Sequence, residues 1–179
     1  MMFDQNADQK TVATERLRLR PLRDADAGLL QLYADDAQVA RNTTTIPHPL
    51  PPGAVEALIA RARAPDRTED VWAMDGATAG LPELVGVIGL ERMDRNQSEI
   101  GYWVAPAFWN AGIASEAVDG IVAANPHAAR TIFGSVFQDN PASARVLTHA
   151  GFEYLGDAEA YSVARDAKVA TWTYLRKQD

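Results

Sequence analysis

Residues 100–117 read IGYWVAPAFWNAGIASEA. The first five are apolar or aromatic apart from one glycine, the pattern of a short buried strand. Pro106 stops it, because proline cannot donate to a sheet ladder. Beyond Gly112, Ile113, Ala117, Val118, Ile121 and Val122 fall on one helical stripe, and Asn125-Pro126 ends it. A strand therefore turns into a helix across small residues. Such a turn leaves backbone N–H groups unpaired, here those of Asn110, Ala111, Gly112, Ile113 and Ala114. Gly112 permits close backbone approach, and Ala114 leaves room over the first turn. Exposed amides at a helix N-terminus suit an anion such as a pyrophosphate. They are equally the ordinary way in which a strand joins a helix.

Working outward, residues 131–137 read as a second strand. Asn140-Pro141 then opens a short helix, with asparagine at the N-cap and proline at N1, and Gly151 closes it. Capping and packing alone account for this second stretch, NPASARVLTHAGF. Upstream, Leu17, Leu19 and Leu22 alternate with arginines as a half-buried strand. Asp24 and Asp26 suit the start of a helix carrying Leu29, Leu30 and Tyr33. Residues 42–53 form a loop, and Pro51-Pro52 lead into a helix with Val55, Leu58 and Ile59 on one face. Residues 75–82 read as a turn and residues 84–90 as a strand. Two final strands, over residues 154–164 and 170–175, turn near Arg165-Asp166. Residues 1–11 read as a loose tail, and residues 12–179 as one mixed α+β domain without repeats or a linker.

Composition narrows the function. A chain of 179 residues, 47% hydrophobic, suffices for one sizeable core. It has no cysteine, which excludes disulfides, thiolate metal sites and a cysteine nucleophile. His48, His127 and His149 are dispersed, so no metal site is expected. No apolar run could cross a membrane, and no leader segment opens the chain, so a cytoplasmic protein without a membrane partner is expected. The net charge of −7 argues against a nucleic-acid partner. Arg16, Arg18 and Arg20 alternate as the exposed face of a strand would. The acidic balance suits a cationic acceptor such as an amine, or serves solubility alone.

Taken together and in order, the two stretches resemble the GNAT family of acetyl-coenzyme A N-acetyltransferases. The likeness is greatest to the RimJ/RimL-type branch, which modifies ribosomal-protein N-termini. That branch reads I-G-Y-W, then a proline, then W-G-K-G-Y-A-[ST]-E-A, and later N-x-x-S-x-x-V-L-x-K-x-G-F. Thr14 to Leu22, TERLRLRPL, and Pro47-His48-Pro49 fit it too. The resemblance implies the GNAT fold: a mostly antiparallel mixed sheet, helices on both faces, and two central parallel strands that splay apart. Acetyl-CoA would lie in that opening as co-substrate. Tyr102, Trp103 and Val104 would line its pantetheine arm, with the Val104 N–H at the thioester carbonyl. Asn110, Ala111, Gly112, Ile113, Ala114 and Ser115 would cradle the pyrophosphate. Asn140 and Ser143 would meet the arm from the other side, and Arg145 a phosphate.

The sequence departs from the pattern at three places. Asn110 and Ala111 replace Gly and Lys, His149 replaces Lys, and Leu147 stands where wider relatives carry a tyrosine acid. The implied reaction is direct attack of a primary amine on the thioester in a ternary complex. Glu99 is the candidate base and Ser143 the candidate donor to the departing thiolate, with Tyr102, Tyr154 and Tyr161 behind it. The acceptor would be a protein N-terminal α-amine or a small-molecule amine, met by the loop over residues 42–53, the helix after it and the terminal hairpin. The alternative is a coenzyme A-binding or interaction module without turnover. Either a monomer or a homodimer fits.

Overall fold

The computed structural model describes residues 9–179. Eight strands form one sheet: β1 (Val12–Ala13), β2 (Arg18–Pro21), β3 (Glu69–Asp75), β4 (Gly86–Met93), β5 (Gln97–Val104), β6 (Thr131–Phe137), β7 (Glu153–Ser162) and β8 (Ala167–Lys177). Their spatial order is β1-β2-β3-β4-β5-β6-β8-β7. Every neighbouring pair is antiparallel except β5–β6. The helices are α1 (Ala27–Ala34), α2 (Ala37–Ala40), α3 (Ala54–Arg63), α4 (Ile113–Ala124) and α5 (Pro141–His149).

Period-2 alternation in the strands divides the core between two faces. On one face Ile113, Ala117, Val118 and Ile121 of α4, with Ala144 and Leu147 of α5, pack on Leu19, Trp72, Ile88, Ile100 and Ile132. On the other, Leu30 of α1 and Val55, Ile59 and Ala62 of α3 pack on Val71, Ala73 and Val87. Tyr102 packs on the first face, and Trp103, the next residue, on the second. Leu147, at the position of the missing tyrosine, is wholly buried, and its Cδ1 fills the space above Gly134 where a Cβ would stand.

The parallel pairing is short. It runs only from Gln97↔Thr131 to Ile100↔Gly134. Beyond that point β5 stays with β4 as far as Val104, and β6 stays with β8 as far as Phe137. The two central strands therefore fork.

Several expectations need correction. Arg20 is not on an exposed strand face. It is buried, and its guanidinium bonds both oxygens of Asp26 at 2.8 and 2.9 Å and Asp75 at 2.9 Å. The helix does start where Asp24 and Asp26 place it, with Asp26 at the N-cap of α1 and its carboxylate engaged by Arg20 and the Arg23 N–H. Strand β3 and helix α2 were not anticipated. Of the tail expected over residues 1–11, residues 1–8 lie outside the described residues. From Gln9 the chain is anchored: the Gln9 amide donates to Val71 O, and Trp72 Nε1 donates to Lys10 O, both at 2.8 Å.

Candidate active site

The fork opens a cleft of about 630 Å³. Ala105 N–H donates to Val85 O, just before β4. By strand alternation, the backbone groups of Tyr102 and Val104 turn the opposite way, into the fork. Trp109 Nε1 takes the Val104 carbonyl at 2.7 Å, which leaves the Val104 N–H facing the opening. An extended arm can pair there like an added strand.

The floor at one end is the start of α4. Gly112 is its N-cap, at φ +75°. Asn110 also has positive φ, at +61°. Asparagine tolerates this conformation, which explains how it can stand where relatives carry glycine. Asn110, Gly112, Ile113, Ala114 and Ser115 line the cleft; Ala111 does not. The opposite wall is α5, with Asn140, Ser143 and Arg145 lining the cleft. Asn140 is the N-cap of α5, its Oδ1 accepting from Ser143 N.

Tyr102 and Ser143 meet across the cleft. The Tyr102 hydroxyl donates to Ser143 O at 2.9 Å, and Ser143 Oγ donates to the Tyr102 oxygen at 3.0 Å. Burial pushes the Tyr102 phenol far above its ordinary value, against the opposing effect of the Ser143 bond. Tyr102 is therefore neutral and a standing hydrogen-bond donor. Tyr154 and Tyr161 are exposed and bonded to Asp157 and Asp166 on the terminal hairpin.

Glu99 lies within the paired part of β5, next to the fork, and does not line the cleft. It alternates with Tyr102 and so faces the α1/α3 side. It sits in one cross-strand row with Glu91 and Glu69. Among the described residues Glu99 has no hydrogen bond or ion pair. Burial, then the charge of Glu91, hold its carboxyl above the usual carboxylate range. Its neighbour Ser98 is pinned from the other face. Ser98 Oγ lies 3.0 Å from His127 Nδ1, and His127 Nε2 lies 2.7 Å from the Asp70 carboxylate.

On the α2 side the sequence pointed to the loop from Asn42 and to the terminal hairpin, but not to Gln38, Val39, Arg41 or Asp139. Gln38, Val39, Arg41, Asn42 and Asp139 line the cleft there. Arg165, from the β7–β8 turn, clamps Asp139 at 2.6 and 3.0 Å and the Arg41 carbonyl at 2.8 and 3.0 Å. Arg41 itself reaches Asp139 at 3.3 Å. These groups are remote in sequence, and no local pattern joins them.

Residues 16–153 match the family model described as the acetyltransferase (GNAT) domain. The uncharacterised N-acetyltransferase YoaA of Bacillus subtilis is 36% identical over 83 residues, 44% of this chain and 47% of that protein. The match thus spans about half the length of that curated relative. Mycobacterium smegmatis RimJ, solved with a CoA-disulfide, superposes with a TM-score of 0.78 at 21% identity, over 94% of this chain and 87% of the other. Spermidine N-acetyltransferase from Vibrio cholerae, solved with CoA and spermine, gives 0.76 at 16% identity, over 91% and 96%. At these identities the two structures establish a shared fold.

Proposed function

Because this chain belongs to the GNAT acetyltransferase family, we propose that it transfers an acetyl group from acetyl-CoA to a primary amine. The observation that carries this reading is the fork itself. Beyond Ile100↔Gly134, β5 presents unpaired backbone groups towards a cleft that ends on the amides of α4. The arm, thioester and pyrophosphate of acetyl-CoA match those donors in kind and order.

The chemistry follows from which side each group faces. The amine approaches from the α1/α3 side, where Glu69, Glu91 and Glu99 form an acidic row suited to a cation. An aliphatic α-amine of pKa near ~8 arrives mostly protonated at neutral pH. Glu99, unpaired and with a raised pKa, takes that proton, directly or through one water. The amine nitrogen then bonds to the thioester carbonyl carbon, and the carbonyl oxygen gains charge at the Val104 N–H. The C–S bond breaks with its electron pair on sulfur. Tyr102 keeps its bond to the Ser143 carbonyl, and the Ser143 hydroxyl turns its single hydrogen from the Tyr102 oxygen to the thiolate, whose pKa is near ~8.5. As the amide forms, the nitrogen sheds its second proton, which balances the one the thiolate takes up through solvent.

For the acceptor, we propose either a protein N-terminal α-amine, as in the RimJ/RimL-type branch, or a small-molecule amine. The reading without turnover draws support from Ala111 and from Leu147, which is committed to the core. An unpaired Glu99 argues for turnover. The test is titration with acetyl-CoA, then free-thiol release with a panel of amines and ribosomal-protein N-terminal peptides. Binding with amine-dependent thiol release is expected. Absence of acetyl-CoA binding overturns the proposal, and binding without thiol release on any acceptor favours the non-catalytic module.

A further inference from the structure

The motif at Thr14 to Leu22 has no role in the chemistry above, yet it reaches the phosphate end of the cleft. The Arg16 guanidinium bonds Glu116 Oε1 through Nε at 2.8 Å and the Ala111 carbonyl through Nη1 at 2.8 Å. Arg16 N donates to Glu116 Oε2 at 2.8 Å, and the Thr14 hydroxyl donates to the same oxygen. Arg16 Nη2 stands 3.4 Å from where a Cβ on Gly112 would lie. The loop preceding α4 is therefore backed by one side chain from the β1–β2 turn.

We propose that Arg16 is the positioning residue of the phosphate loop, in place of the missing loop lysine. The inference rests on the acetyl-CoA reading and deepens it. Two effects make it specific. First, Arg16 draws the Ala111 carbonyl away from the cleft, which Ala111 does not line. A carbonyl turned inward would oppose a phosphate; turned outward, it leaves the amides that follow as the face the anion meets. Second, Arg16 neutralises Glu116, a carboxylate in the first turn of α4. Unpaired, Glu116 would repel the same anion. A lysine cannot span both acceptors with a planar fork, so charge alone does not replace the arginine.

The test compares CoA with pantetheine, which has the arm but no phosphate. Both are titrated by NMR, which reaches millimolar affinities, against wild type, Arg16→Ala and Arg16→Lys. The proposal expects Arg16→Ala to weaken CoA about tenfold and pantetheine less than twofold, with Arg16→Lys between wild type and Arg16→Ala for CoA. A merely structural role weakens both ligands alike. Equal losses for the two ligands, or no loss of CoA, overturn the proposal. Should Arg16→Ala not fold, Arg16→Lys carries the same comparison. Failure of the wild-type chain to bind CoA is a separate result, and it removes the acetyl-CoA reading itself.

Discussion

The two walls of the cleft are made by different means. The cofactor wall is backbone: the free edge of β5, the amides of α4 and the capped start of α5, drawn from residues 102–115 and 140–146. The other wall, which we propose as the acceptor wall, is side chains: Arg41 and Asp139 line it and Arg165 holds them from behind, the three brought together from distant points by ion pairs and hydrogen bonds. Val163 N–H, donating to Thr44 O, adds a strap between the hairpin and the loop after α2. A backbone site tolerates changes of side chain so long as φ and ψ survive, as Asn110 at positive φ shows. A side-chain site can be rebuilt one residue at a time, which would suit the proposed acceptor side.

Four substitutions sharpen or break this comparison. Glu99 lies next to the fork, on the side from which the amine is proposed to approach, and Glu99→Gln should have the largest effect. We expect kcat to fall about 10²–10³-fold while the Kd for acetyl-CoA stays within twofold. A base must be deprotonated, so wild-type activity should rise with pH through the raised Glu99 pKa, and the variant should lose that limb. A pH–rate profile of both proteins checks it, and an unchanged acid limb would remove Glu99 from the mechanism.

Second, Asp70→Ala strips a carboxylate from buried Arg67 and His127 beneath β5. It should cost about 3 kcal/mol of stability by urea unfolding at neutral pH. Burial alone would raise the Asp70 carboxyl, but the bonds from His127 and Arg67 and the charges of Arg67 and Arg92 outweigh it and hold it low. Its stabilisation is therefore fully present above the unfolded pKa and is lost as pH falls through the depressed folded one. The gap between variant and wild type should close in acid. A gap constant with pH would mean that lost packing, not charge, is responsible.

Third, Gly112→Ala should affect the cofactor wall alone. Its φ of +75° and the Arg16 guanidinium behind it predict a loss of about 1–2 kcal/mol and weaker acetyl-CoA binding. The acceptor KM should not change. Fourth and smallest, Arg165→Ala should raise the acceptor KM about threefold, because its pair with Asp139 is partly exposed and screened. The Kd for acetyl-CoA should hold within twofold. Equal shifts in both constants would show that the walls are not separable.

The same contrast explains what the sequence disclosed. Glycine, proline and asparagine punctuation marked the β5–α4 turn and the α5 cap, because those residues act through their own backbone. Leu147 and Ile113 declared themselves by periodicity. Strand β3 stayed hidden because its short apolar run is bounded by Asp70 and Asp75, which read as loop residues. Both are buried, with partners at His127 and Arg20. Arg20 misled for the same reason, since alternation cannot distinguish an exposed arginine from one paired with two buried carboxylates. For the proposed acceptor wall only the segments, the loop from Asn42 and the terminal hairpin, were legible; the contacts of Arg41, Asp139 and Arg165 exist only after the β7–β8 hairpin has docked.

The central claim is that the β5–β6 fork holds the acetyl donor, and a crystal structure with bound acetyl-CoA tests it most directly. The account predicts the pyrophosphate on the amides that begin α4, the arm along Tyr102 to Val104, and the thioester carbonyl at the Val104 N–H with Glu99 on the far side of the sheet. Acetyl-CoA bound elsewhere, or a thioester turned away from the fork, would contradict it.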